Sequence, residues 1–369
     1  MDFSFSEQQE TVGKVARQLF EARATPEHLT ELEAGDVRHD PALWRELASS
    51  DLLGIAVPKA VGGSGGSFLE LGVLLSEVGW SVAPAPIYAT LLLGADTVAR
   101  HGSSALQQEY LPGVVDGSRI LTGALAESGH SNPTTPGATA RRDGQNWRLD
   151  GSKELVPAAQ LADAIIVAAT TDDGPALFLL DKDTESVDIR PVRTTNGEPF
   201  ADVILSGALV PDTHRLGAGT DPVGSLHTRA LVGLATMQIG VTERALRIAA
   251  SYTSEREQFG RPIGSFQAVQ QRMADAFIDV EAIRWTTWHA AWLIAEGRPA
   301  QREAAIAKFW AAEAGARVTA TAQQVHGGMG IDITYPLSRY FLWAKQIELS
   351  LGSASQQLAR LGSAYPEGN

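Results

Sequence analysis

Three observations predict an α+β chain that runs helix, sheet, helix. Residues 1 to about 118 carry helical periodicity, residues about 119 to 212 break into short β-rich runs set off by turn residues, and long helical patterns return after Pro211. The 369 residues suffice for two or three domains with a real core. The expected division is 1–118 helical, 119–212 a small antiparallel sandwich or barrel, and 213–369 a helical bundle.

The first helix is expected to start at Ser6, whose hydroxyl can cap it while Gln9, three positions on, reaches back as the capping-box partner. The glycine loop Pro58 to Gly66 interrupts the helices, and Phe68 to Gly79 resumes the period. It is only superficially a phosphate cradle, because a dinucleotide fingerprint follows a strand and both flanks here read as helix; a connecting turn is expected. The β-rich runs are Ile120–Leu125, Ala138–Arg142, Trp147–Leu149, Ala164–Ala169, Ala176–Leu180, Val187–Val192 and Ala201–Leu205, with Asp143-Gly144 as a hairpin signal. Long helices are then expected over Leu226–Arg256, Phe266–Glu296 and Arg302–His326, with a last one from about Pro336. Trp285, Trp288 and Trp292 share a face of one of them, with Trp310 and Trp343 further on, and are assigned to bundle or subunit packing rather than a cofactor wall.

Composition removes whole classes of function. With 43 acidic against 30 basic residues and a net charge of −13, the chain repels a phosphate backbone or an anionic membrane surface, so no nucleic-acid or membrane partner is expected. The absence of cysteine excludes disulfides, iron–sulfur clusters, thiolate zinc and thiol catalysis. No apolar run approaches the roughly 18 residues of a membrane span, and MDFSFSEQQE lacks the basic and apolar regions of a signal peptide, so a soluble cytoplasmic protein is expected. The eight histidines are scattered without metal-ligand spacing, and no Gly-x-Ser-x-Gly elbow occurs, so neither a metal centre nor a hydrolase is expected.

Two segments of the C-terminal part carry chemistry. In Tyr252 to Gln267 a helix ends in Phe259-Gly260 and another restarts near Gln267, crowding charges and amides into one corner. In Gln323 to Gly330 a helix runs into a glycine turn that lets a ligand approach the backbone. Together they have the donors to grip a diphosphate; on residue type alone, Arg256 reads rather as a surface salt-bridge residue.

On these segments, with Ser6-Glu7-Gln8-Gln9, Pro58 to Gly66 and a Gly151-Ser152-Lys153 turn, the chain resembles the acyl-CoA dehydrogenases over essentially its whole length. The resemblance implies an N-terminal helical domain, a middle β domain, a C-terminal four-helix domain and FAD. It also implies that Arg256, Phe259, Gln267, Gln324, Gly327 and Gly328 reach the diphosphate and adenosine half of an FAD held by a neighbouring subunit.

The family's reaction takes an α proton with a carboxylate while the β hydride passes to the flavin. The usual base position corresponds to Leu351, and the alternative helix, beginning here near Leu226, offers none, because no Glu lies between Glu198 and Glu243. Glu348 is three residues from Leu351, about 4.5 Å of helical rise, and reads as a charge on a helix face rather than a displaced base. No catalytic residue is therefore assigned. The family's Thr-Glu-Pro corresponds to Ala126-Glu127-Ser128 and its Trp-Ile-Thr to Leu155-Val156-Pro157, so contacts to a flavin ring of the chain's own are degraded. The lending half of a flavin site is kept and the owning half is lost. That asymmetry resembles the beta subunit of actinobacterial heteromeric dehydrogenases of the cholestenoyl-CoA type. It implies two catalytic alpha chains with two beta chains, a steroid side-chain acyl-CoA substrate, and electron transfer flavoprotein as the acceptor. The alternatives are a self-sufficient homomeric dehydrogenase or oxidase using Glu348, and a scaffold subunit that binds no flavin.

Overall fold

The computed structural model describes residues 4–35, 37–130 and 132–363. It opens with α1 (Glu7–Arg23), α2 (Pro26–Glu33) and α3 (Pro41–Ser49), then α4 (Phe68–Ser81), a buried π-helical stretch Tyr88–Asp96, α5 (Thr97–His101) and α6 (Ser104–Val115). The capping box forms at the first helix: the Gln9 N–H donates to Ser6 Oγ at 3.2 Å and the Ser6 N–H to Gln9 Oε1 at 3.0 Å. A second box, not anticipated, starts α4, where Ser67 donates its N–H and hydroxyl to Glu70 at 2.7 and 2.6 Å. Gln9 Nε2 donates to the same carboxylate at 2.9 Å, tying the two helix starts together. The glycine loop is the connecting turn expected of it. The N–H groups of residues 62 to 66 all donate to the chain's own carbonyls between Gly54 and Lys59, which leaves none for a phosphate.

The β region comprises β1 (Leu121–Ala124), β2 (Thr139–Asp143), β3 (Asn146–Pro157), β4 (Ala164–Thr171), β5 (Gly174–Asp181), β6 (Val187–Val192), β7 (Phe200–Pro211) and β8 (Arg215–Leu216). The order is β6-β7-β3-β2-β4-β5-β8, with β1 also on β4. The strands curve over one core that includes Trp147, Leu149, Val167, Phe178, Val203 and Val210. Asp143-Gly144 makes the expected hairpin, closed by the pair Asp143↔Asn146. The sheet is antiparallel except at β4, which pairs parallel with β1 from Leu121↔Ala164 to Ala124↔Val167 and with β2 at Thr139↔Thr170. Both parallel partners are separated from β4 by connections long enough for a crossover.

Gly151-Ser152-Lys153 is not the turn expected with the resemblance. The three residues pair with Leu205, Ile204 and Val203 inside β3, whose register shifts on either side, between Leu149 and Asp150 and between Lys153 and Val156. A bulged strand and a turn share the same residue chemistry, and the partner strand alone separates them.

The helical part comprises α7 (Pro222–Glu255), a two-residue hairpin of β9 (Glu257–Gln258) and β10 (Arg261–Pro262), then α8 (Gln267–Ala295), α9 (Gln301–His326), α10 (Leu337–Leu349) and α11 (Ala354–Ser363). The last helix expected from Pro336 is thus two, broken at Leu351, where φ is 53°. α4 and α7 touch through glycines: a Cβ on Gly79 would lie 1.9 Å from the Met237 carbonyl oxygen, and one on Gly240 2.0 Å from that of Ser76. The tryptophan stripe divides. Trp288 packs on Gly72, while Trp285 and Trp292 stay partly exposed on α8.

The chain forms two compact units. One takes the described residues of Met1–Leu19, Leu29–Leu71 and Pro84–Ala230, the other those of Phe20–His28, Gly72–Ala83 and Leu231–Asn369. Among the described residues, no helix is long and apolar enough to cross a membrane, and no group of metal-ligating side chains occurs.

Candidate functional site

The ends of three helices carry the six candidate residues. α7 stops at Glu255, and the Arg256 N–H still donates to the Tyr252 carbonyl at 2.8 Å, while the Arg256 carbonyl accepts from Ile263 at 2.8 Å. Between these anchors the chain folds into the β9–β10 hairpin, with Gln258 opposite Arg261 and Phe259-Gly260 at its tip. Phe259 is 94% exposed and has a left-handed φ of 55°. Its ring stands perpendicular to that of Phe266, with centroids 6.2 Å apart, and the Phe266 face carries the Arg261 guanidinium at 4.3 Å. Gln267 opens α8.

The second segment lies alongside. Tyr252 near the end of α7 stacks on His326 at the end of α9, with 4.2 Å between centroids, which brings the hairpin to the Gly327-Gly328 turn. Gln324 lines a groove of about 880 Å³ together with Ala268, Gln271 and Arg272 from the first turns of α8, so the start of that helix joins the same cluster. The structure therefore brings the two segments together, and all six residues are exposed.

Their side chains are uncommitted. Among the described residues, Arg256, Gln267 and Gln324 make no side-chain hydrogen bond or ion pair, so the salt-bridge reading of Arg256 finds no partner. Gly327 needs its glycine for a φ of 60°. Gly328 has neither a positive φ nor a neighbour that a Cβ would strike, so nothing inside this chain requires a glycine there. A free guanidinium, two free amides and an open glycine turn fit the anionic, donor-seeking diphosphate of FAD.

Position 351, to which the resemblance gives the base, is built differently. Leu351 lies in the turn after α10, and its carbonyl accepts from Gln357 Nε2 at 3.1 Å. Lys308 of α9, fully buried, donates to the carbonyls of Glu348 and Gly352 at 3.1 and 2.9 Å and closes the end of α10. Burial pushes the Lys308 ammonium down to about 7, against the pull of Glu348. The Glu348 carboxylate is engaged by Lys345 one turn back. No carboxylate occupies position 351, and no glutamate lies between Glu198 and Glu243.

In the middle region Glu127 and Lys153 form a buried ion pair. The Glu127 carboxylate also accepts the N–H groups of Gly137 and Ala138, the latter at 3.1 Å. Burial works to raise its pKa, but Lys153 and the two backbone donors outweigh it and hold the carboxyl below its ordinary value. Leu155 projects half-exposed from the bulge with φ 49°, and the Pro157 carbonyl accepts from Thr122 Oγ1 at 2.5 Å. Neither side chain carries a hydroxyl, Pro157 has no N–H, and the Leu155 N–H is donated to Asp202 Oδ1 at 3.0 Å. Sequence reading missed the burial of Lys308 and Lys153 and the aromatic joint at His326, since lysines are exposed by default. The one available signal was the apolar context of Lys308, Ala304 to Ala312.

Comparison with known proteins agrees over the whole length. Family models match residues 6–118 as the acyl-CoA dehydrogenase N-terminal domain, 122–208 as the middle domain and 226–365 as the C-terminal domain. The chain is 40% identical over 375 residues to acyl-CoA dehydrogenase FadE27 of Mycobacterium tuberculosis, covering 100% of this chain and 99% of the relative. Two solved structures superpose closely. The ChsE4-ChsE5 complex from Mycobacterium tuberculosis has TM-score 0.94 and 41% identity over 99% of this chain and 100% of that one. A variant of the Tcur3481-Tcur3483 steroid ACAD has TM-score 0.92 and 44% identity over 97% of each chain. With all three domain models matched in order and a relative this similar from end to end, the chain belongs to the acyl-CoA dehydrogenase family, whose members are FAD-dependent oxidoreductases.

Proposed function

We propose that this chain is the beta subunit of a heteromeric acyl-CoA dehydrogenase, lending Arg256, Phe259, Gln267, Gln324, Gly327 and Gly328 to an FAD held by a catalytic alpha chain. The observation that carries the proposal is the asymmetry between the two halves of a flavin site. The outward-facing half is present with its donors uncommitted, whereas Leu351 stands at the base position and Leu155 and Pro157 replace ring contacts.

When bound, FAD supplies the hydride acceptor for α,β-desaturation of an acyl-CoA thioester. In this scheme the Arg256 guanidinium neutralises diphosphate charge, the Gly327-Gly328 backbone lets the ligand come close, and Phe259 offers an apolar face to the adenosine end. The α proton is taken by the alpha chain's carboxylate, so this chain alone does not turn over. The complex contains two alpha and two beta chains with one FAD per pair. The 1–118, 119–212 and 213–369 division serves it as three domains. The substrate class is a steroid side-chain CoA ester, supported by the solved relative named a steroid ACAD, and electron transfer flavoprotein is the acceptor by family analogy.

The test is to purify the chain alone and co-expressed with an acyl-CoA dehydrogenase alpha chain, then measure flavin per chain and steroid-CoA dehydrogenation. Little flavin and no turnover alone, with one FAD per pair of chains and activity together, supports the proposal. Full flavin and turnover from the lone chain refutes it.

A further inference from the structure

His326 ends α9 and immediately precedes the exposed Gly327-Gly328 turn, yet is only 3% exposed itself. Its ring lies between two tyrosines: Tyr252 at 4.2 Å and 22°, and Tyr335 at 5.2 Å and 55° between ring planes. Tyr252 is one helical turn before Arg256, and Tyr335 follows the short turn Gly327–Ile331.

Hydrogen bonds select the state of the imidazole. Nδ1 is 2.7 Å from the Ala322 carbonyl, which can only accept, so Nδ1 carries the proton. Nε2, 3.2 Å from the Tyr335 hydroxyl, is therefore the acceptor. Burial lowers the imidazole pKa against the Ala322 bond, and burial raises that of Tyr335, with Tyr252 and Glu255 adding to it, so the neutral ring and the protonated phenol persist together. With both nitrogens engaged and the ring covered, His326 has no means of touching a ligand. It does have the means of setting a distance. A glycine turn and a two-residue hairpin have little rigidity of their own, and binding groups held at their working separation lose less entropy when the ligand arrives.

We propose that His326, clamped between Tyr252 and Tyr335, is a positioning residue that fixes the spacing between the Arg256–Phe259 hairpin and the Gly327-Gly328 turn for the diphosphate of a partner-held FAD. The inference rests on the shared-site reading above, and the experiment separates the two. The alpha–beta complex is stripped of flavin and titrated with FAD, carrying Arg256→Ala, Tyr335→Phe, His326→Phe or His326→Gln in this chain, while melting of each lone variant is recorded. Tyr335→Phe, which removes one hydrogen bond and keeps the ring, is expected to weaken FAD binding about fivefold. His326→Phe keeps an aromatic ring, strands both hydrogen-bonding partners, and is expected to weaken it about tenfold or more. His326→Gln, whose Oε1 reaches the Nε2 position, is expected to restore most of the loss, with melting of Tyr335→Phe and His326→Gln unchanged. Unaltered binding in Arg256→Ala overturns the shared site itself. Loss in Arg256→Ala with native binding in Tyr335→Phe and His326→Phe overturns the positioning role alone. So does a loss in His326→Phe that tracks its melting and is not restored by His326→Gln.

Discussion

An exposed phenylalanine in left-handed backbone is costly twice: it shows an aromatic face to water, and its Cβ crowds the following carbonyl by about 1 kcal/mol or more. Phe259 bears both costs at the hairpin tip, and the proposed contact with a partner-held FAD would offset them. Phe259→Gly is expected to leave lone-chain melting unchanged or raised, and to weaken FAD binding by the alpha–beta complex about tenfold, read by flavin fluorescence titration. Lys308 is the opposite case, a cation driven inside. Because burial holds its folded pKa near 7, the folded chain binds fewer protons than the unfolded chain from there up to the ordinary lysine value. Stability is penalised below about 7, and the penalty is relieved as pH rises, on the order of 1 kcal/mol per pH unit. Urea unfolding at pH 7.5 and 9 should therefore show a gain in the native chain that Lys308→Met lacks. Equal gains would mean that the ammonium is not desolvated. Residue types alone led to the six candidate residues only through a family resemblance. Exposure and freedom from partners came from packing, because a guanidinium's salt bridge depends on what the fold places beside it.

At the scale of elements, most boundaries were legible because the forces that set them are local. The Ser6/Gln9 box, the Asp143-Gly144 hairpin and Val187–Val192 lie where capping, turn chemistry and alternation put them. β3 is the exception. Its middle looked like a turn, and it becomes strand because β7 pairs with it and Lys153 is drawn under the sheet to Glu127, 26 residues away. Breaking that pair from one side leaves a buried carboxylate uncompensated, so Lys153→Met is expected to destabilise the chain by about 3 kcal/mol or more in urea, and Lys153→Met with Glu127→Gln by less. Since the Glu127 carboxyl is held below its ordinary 4.5, its contribution is present above that value and is lost as pH falls through the lowered one. The native chain should lose more stability on acidification from pH 5 to 3.5 than Lys153→Met with Glu127→Gln does.

For the whole molecule, native mass spectrometry of the co-expressed complex is expected to find two alpha and two beta chains with two FAD, and flavin-free masses for the lone chain. A beta chain carrying its own FAD would reverse the assignment of lending and owning halves. The helix, sheet, helix order and the leucine, rather than a carboxylate, at position 351 were determined by the sequence. These depend on local periodicity and on residue identity, neither of which needs a partner segment. Tertiary structure alone decided that β4 pairs parallel with β1, that Trp285 faces out while Trp288 faces in, and that Tyr252 and His326, 74 residues apart, meet beneath the candidate site. Each is a contact between distant residues, and its free energy exists only once the loops between them have closed.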